Sequence, residues 1–127
     1  MKLSPTPRFR GGRNIAIKVP PHAWEATVAF YRDVLGLKAI TRHAPDVGFE
    51  FGANQLWIDR APGLSQAETW LEILVDDADV GAAAERLEQA GIVRCDAIEP
   101  LGEGSKAFWI MSPASVVHLV CPAERAW

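Results

Sequence analysis

The chain is poor in cysteine, tyrosine and methionine, and its 127 residues carry no surplus of positive charge. Cys95 and Cys121 belong to no CxxC or other zinc-spaced cluster, which excludes a disulfide-stapled miniprotein and a zinc ribbon. No secretory leader is read at the start, so reduced thiols and a cytoplasmic location are expected. No apolar run approaches the roughly 20 residues that cross a bilayer, so no membrane partner is expected. Thirteen Lys and Arg stand against sixteen Asp and Glu, a net charge of −3, which lacks the basic field that nucleic acid demands. Lys2, Arg8, Arg10 and Arg13 sit among Pro and Gly and read as a solvated tail. "GEGSK" (102–106) lacks the full phosphate-cradling glycine pattern and reads as a loop that could serve as a lid.

What is present is ordinary globular material, 49% hydrophobic and 23% charged, enough for one domain over 1–127 with its own core. "NIAIKVP" (14–20) alternates as a strand does. "HAWEATVAFYRDVLG" (22–36) puts Trp24, Val28, Tyr31 and Leu35 on one helical stripe, widened by Ala26 and Phe30, and ends at Gly36. Strands are expected at 37–44, 47–53 and 55–61, and a linker at 62–68. The order then repeats at an offset of about 56 residues. "TWLEILVDD" (69–77) is a strand, "DVGAAAERLEQAG" (79–91) a helix, and "IVRCDAIEPL", "AFWIMSP" and "VVHLVCP" three more strands. A strand with its covering helix gives two-layer α/β packing in each half.

Period two sorts the strand residues into two faces. Ile15, Ile17, Val19, Leu56, Ile58, Leu71, Ile73, Val75, Val117 and Leu119 make an aliphatic face for the helices. The other face collects Asn14, Ala16, Lys18, Gln55, Trp57, Asp59, Trp70, Glu72, Leu74, Val116, His118 and Val120. Two tryptophans among an imidazole, carboxylates, an ammonium and amides suit a cavity wall with few polar groups; a wet sheet face is the plain alternative.

The phrase "VAFYRDVLGL" (28–37), with "NIAIKV", "VDDADVGAAAERLEQAGI" and "MSPASVVHLV", resembles the vicinal oxygen chelate superfamily of glyoxalases, bleomycin-resistance proteins, fosfomycin-resistance enzymes and extradiol dioxygenases. The resemblance covers residues 13–123. It implies an α+β fold of two βαβββ modules, about 13–61 and 69–123, forming a cup-shaped, partly open barrel, with homodimers the usual state. Metal-dependent members hold a divalent ion from the first, fourth, fifth and eighth strands. On this sequence those positions fall on Asn14, near Trp57, on Trp70 and on His118. Only His118 is a strong donor, and indoles cannot ligate a metal.

The expected ligand-binding set is therefore Asn14, Lys18, Trp57, Asp59, Trp70, Glu72 and His118, without a cofactor, around a small planar or aromatic guest. The alternative is a divalent metal ion on a shifted site of His118, Glu72 and Asp59, serving a lyase or dioxygenase. A third reading is a non-catalytic dimeric scaffold with a side-chain-filled cup. Each residue also has a plain role: Lys18, Asp59 and Glu72 as an ion-pair set, His118 as a hydrogen-bonded histidine, and the tryptophans as packing. Trp109 has an ambiguous facing, Trp24 belongs to the helix stripe, and Trp127 is terminal. Arg42 and His43 end the second strand as an anion-contacting rim or a solvated edge.

Overall fold

The computed structural model describes residues 7–123. In chain order the elements are β1 (Arg10–Gly11), β2 (Asn14–Val19), α1 (Pro21–Ala29), a π-helical turn (Phe30–Val34), β3 (Ala39–Ile40), β4 (Gly48–Phe51), β5 (Asn54–Arg60) and β6 (Glu68–Val75). A 3₁₀ turn (Asp77–Asp79) leads into α2 (Val80–Gln89), followed by β7 (Val93–Arg94), a 3₁₀ turn (Asp96–Ile98), β8 (Phe108–Met111) and β9 (Val117–Pro122). Chain contacts divide this into two compact units, Arg13–Trp70 and the chain on either side of it. No helix among the described residues is long and apolar enough to cross a membrane.

In the Arg13–Trp70 unit, β2 pairs parallel with β5, which pairs antiparallel with β4, and β4 with β3. The first residues of β6 pair antiparallel with β2 on its other side. Val19, Leu56, Ile58 and Phe49 meet Val28 of α1, with Ile15, Ile17, Trp24 and Tyr31 packed around them, so the aliphatic face is turned to the helix as the alternation predicts. Trp24 Nε1 donates to the Ile58 carbonyl at 3.1 Å and ties helix to sheet. Pro21 opens α1, where its missing N–H leaves no bond unmade.

The expected single helix over 22–36 changes pitch after Ala29. The Leu35 amide bonds the Phe30 carbonyl, a five-residue span. The wider turn rotates the stripe, so Tyr31 stays on the core while Phe30 and Leu35 come out to solvent. Gly36, at φ +65°, then reverses the chain. The strand expected over 37–44 is only two residues long, because the chain turns at Thr41, whose carbonyl accepts from Ala44.

In the other unit, the later residues of β6 pair parallel with β9, β9 antiparallel with β8, and β8 with β7. Val75, Phe108, Ile110 and Val120 pack on Val80 and Ala83 of α2. Three corrections arise here. Arg10 and Gly11 are not part of a free tail: they pair with Leu74 and Ile73, and Arg10 bonds Asp76 at 3.1 Å; Lys2 lies outside the described residues. The strand expected from "IVRCDAIEPL" stops at Arg94, because the Asp96 carboxylate takes the Trp109 amide that a longer ladder would use. Finally, β9 has the opposite phase to that expected. Val120 faces α2, and His118, opposite both Leu71 and Ile110, shares that face, while Leu119 pairs with Glu72 and Trp109.

Candidate functional site

The face of the Arg13–Trp70 sheet turned away from α1 is built in rows fixed by strand register. One row runs Gly48, Trp57, Ala16, Trp70 across β4, β5, β2 and β6. Small residues alternate with indoles, which gives each ring a flat bed. The glycine is required by the packing: a Cβ on Gly48 would lie 2.5 Å from Cε3 and Cζ3 of Trp57. Sequence reading missed Gly48, although a glycine inside a strand pattern is the signal for such an approach.

Above this row, Asn14 and Gln55 stand side by side. Asn14 Oδ1 accepts from Trp57 Nε1 at 2.7 Å and from Gln55 Nε2 at 2.8 Å. Gln55 in turn accepts from the Arg42 guanidinium. The His43 ring stands edge-on to Trp57, centroids 5.7 Å apart. Below the row, Lys18 faces Asp59 and Glu68 across the strands. Its ammonium is 2.8 Å from Asp59 Oδ2 and 4.4 Å from the centroid of Trp70, and Trp70 Nε1 donates to Glu68 at 3.0 Å. Lys18, Trp57 and Trp70 are buried, whereas Arg42 and Glu68 are exposed. Five of the expected site residues, Asn14, Lys18, Trp57, Asp59 and Trp70, thus share one face of one unit.

Glu72 and His118 belong to the other unit. Glu72 is buried against Gly12, where a Cβ would fall 2.1 Å from its Oε1, and the Gly12 amide bonds the Glu72 carbonyl at 2.9 Å. The expected grouping of His118 with Glu72 on one face is corrected by the pairing, which puts them on opposite faces of their sheet. The run "VVHLV" is apolar at every position but one, so period two could not fix its phase. His118 Nδ1 lies 2.9 Å from the Val116 carbonyl. Trp109 Nε1 donates to the Glu99 carbonyl at 3.0 Å. Burial, then the charge of Asp96, pushes the Cys95 thiol up from its ordinary pKa, which disfavours the reactive thiolate.

A divalent metal at the positions the superfamily uses does not fit these residues. The Asn14 carbonyl oxygen already accepts two N–H groups, and Trp57 and Trp70 offer only donors. Among the described residues no group of three or more His, Cys, Asp and Glu side chains could hold a metal ion.

No family model matches the chain, and no curated protein matches it. Solved structures do. The Mn(II)-bound glyoxalase of Novosphingobium aromaticivorans is 23% identical, with a TM-score of 0.63 over 90% of this chain. The 2,2',3-trihydroxybiphenyl 1,2-dioxygenase of Sphingomonas wittichii is 17% identical, TM-score 0.57, over 87%. This chain spans 39% of the length of each of those two. The methylmalonyl-CoA epimerase of Mycobacterium tuberculosis is 17% identical, TM-score 0.56, with 89% of this chain and 88% of that one covered. The two βαβββ modules expected from the sequence, and the likeness to these structures, show that the chain has the fold of the vicinal oxygen chelate superfamily.

Proposed function

We propose that this chain is a small-molecule-binding protein of the glyoxalase and bleomycin-resistance kind that works without the superfamily's metal, taking a flat aromatic ligand on the face built from Trp57 and Trp70. The observation that carries this reading is the row Gly48–Trp57–Ala16–Trp70, in which indoles stand at or near the positions where the resemblance places metal ligands and Asn14 is committed to Trp57 and Gln55. Trp57 and Trp70 are 5% and 6% exposed and held by their Nε1 bonds, so they form a rigid backing, and the half-buried Asn14, His43 and Asp59 complete the surface a flat guest meets at little entropic cost. The names of two similar structures, the trihydroxybiphenyl dioxygenase and a homoprotocatechuate 2,3-dioxygenase, support an aromatic guest. Lys18 and Asp59 serve as charged flanks in this reading.

The test combines elemental analysis with tryptophan fluorescence. Protein incubated with Zn²⁺, Ni²⁺, Mn²⁺ and Fe²⁺ and then desalted is expected to retain far less than one equivalent of any of them. At least one member of a panel of aromatic acids, amides and phenols is expected to quench the fluorescence saturably, with Trp57→Phe weakening it about tenfold or more, the scale of one lost aromatic anchor. Near-stoichiometric metal, or no response to the whole panel, overturns the reading.

We also infer a homodimer. Phe30, Val34 and Leu35 are 45%, 73% and 49% exposed on the π-helical turn. Between them Arg32 and Asp33 lie side by side, 2.9 Å apart, the Asp33 carboxyl held below its ordinary pKa first by that bond. A ridge with both signs of charge and an apolar stripe is self-complementary under a two-fold axis, so a second copy suits it. Sedimentation is expected to show dimers that Val34→Glu converts to monomers; wild-type monomers at tens of micromolar overturn the inference. A dimer that answers no ligand in the panel would instead make the chain a non-catalytic scaffold.

A further inference from the structure

We propose that Arg42 is an anion subsite on the tryptophan-bearing face and that the ligand there is a flat aromatic acid; this rests on the binding reading above. The argument starts from the buried amides. Asn14 Oδ1 is the acceptor for Trp57 Nε1, a group that can only donate, so its orientation is fixed by chemistry. That same oxygen faces Gln55 Nε2, so the Gln55 amide is fixed as well, with its carbonyl oxygen turned away from Asn14. Gln55 is 3% exposed, and the group that reaches its carbonyl oxygen is the guanidinium of exposed Arg42. Three side chains in succession, Trp57, Asn14 and Gln55, therefore hold one guanidinium at a defined place.

An arginine on an ordinary wet surface gains little from such tethering and loses rotamer freedom by it. Here one of five N–H donors is used by Gln55, which leaves the planar fork available for a carboxylate. Three other basic groups of this unit have carboxylate partners: Lys18 has Asp59, Arg32 has Asp33, and Lys38 has Glu50. Among the described residues Arg42 donates to the neutral Gln55. The loop that carries it is braced by bonds from Ala44 to Thr41 and from Asp46 to His43. His43, the next residue, sets its half-exposed ring against Trp57. A positive fork beside the edge-to-face His43–Trp57 pair recognises a planar ring bearing an acid group. With a net charge of −3, attraction for an acid comes from this local placement and not from the field of the whole chain.

The experiment compares 2-naphthoate with its neutral isostere 2-naphthamide by calorimetry and fluorescence, alongside the neutral members of the wider panel. Wild-type protein is expected to bind the acid about tenfold more tightly than the amide, the scale of one charge-assisted bidentate contact. Arg42→Gln is expected to bring the ratio close to one, and Arg42→Lys, which keeps the charge and loses the fork, to recover only part of it. Near-ultraviolet circular dichroism of both variants checks that the tryptophan packing is intact. Equal affinities in the wild type, or a ratio unchanged in Arg42→Gln, overturn the subsite while leaving the binding face standing. Binding of neutral panel members with no binding of naphthoate has the same meaning. Silence toward every compound overturns both proposals together.

Discussion

Gly48→Ala is expected to be among the most destabilising single-methyl additions in this chain. Gly48 sits opposite Trp57 in the β4–β5 ladder, and its added Cβ would lie 2.5 Å from two ring carbons and 3.1 Å from a third. The ring is rigid and 5% exposed, so it cannot swing into solvent as a lysine tip would. It is also held by Nε1 on Asn14 at 2.7 Å and by the His43 edge. Overpacking of this kind costs roughly 1–3 kcal/mol. Displacing the indole also breaks the Asn14 bond, worth about 1 kcal/mol. Urea unfolding should show a lower midpoint with an unchanged slope, and tryptophan emission should shift to the red. The internal control is Gly81→Ala in α2, where a Cβ meets nothing within 4 Å. There the same change should stabilise by about 0.5–1 kcal/mol, because alanine is the better helix former. A Gly48→Ala variant as stable as wild type would show that Trp57 does not lie on β4, and the proposed bed would fail with it.

The contrast between those glycines reflects what the sequence disclosed and what it withheld. Alternation in "NIAIKV" and "QLWIDR" was unambiguous, so the faces of β2 and β5 and the shared face of the five candidate residues on or near them were legible. The run of Ala, Leu and Glu over 79–91, ended by Gly91, made α2 legible. The phase of β9 was not, because a run of aliphatics carries no alternation, and only pairing with β6 and β8 decides which side His118 takes. The pitch change after Ala29 was also hidden, since periodicity assumes one pitch throughout. Polar side chains that replace backbone partners were a third blind spot: the Asp96 carboxylate ends a strand by taking the Trp109 amide. The Asn14–Gln55–Arg42 chain was invisible for a related reason. Its members are 41 and 13 residues apart, and only register brings them together.

Asp59→Asn is expected to cost more than Lys18→Met, although each breaks the same ion pair. The two residues face each other across the parallel β2 and β5 strands, with Nζ and Oδ2 2.8 Å apart. Their surroundings differ. The Lys18 side chain is 6% exposed and the Asp59 side chain 33%. Removing the lysine charge leaves a carboxylate that water can reach, and methionine keeps most of the buried stem. Removing the aspartate charge takes from a buried ammonium the carboxylate 2.8 Å away. Breaking a fully buried pair costs about 3–5 kcal/mol. With Asp59 a third exposed, roughly 2–3 kcal/mol for Asp59→Asn and about 1 kcal/mol for Lys18→Met is the reasonable scale. The double variant should lie close to Lys18→Met alone, since without the ammonium the asparagine has no buried charge to neglect. That non-additivity is the diagnostic, and a double-mutant cycle in urea measures it directly. Equal single-variant costs that simply add would mean that the ammonium is as well solvated as the carboxylate. The Trp70 end of the face would then be open, wet surface and not the floor of a binding site.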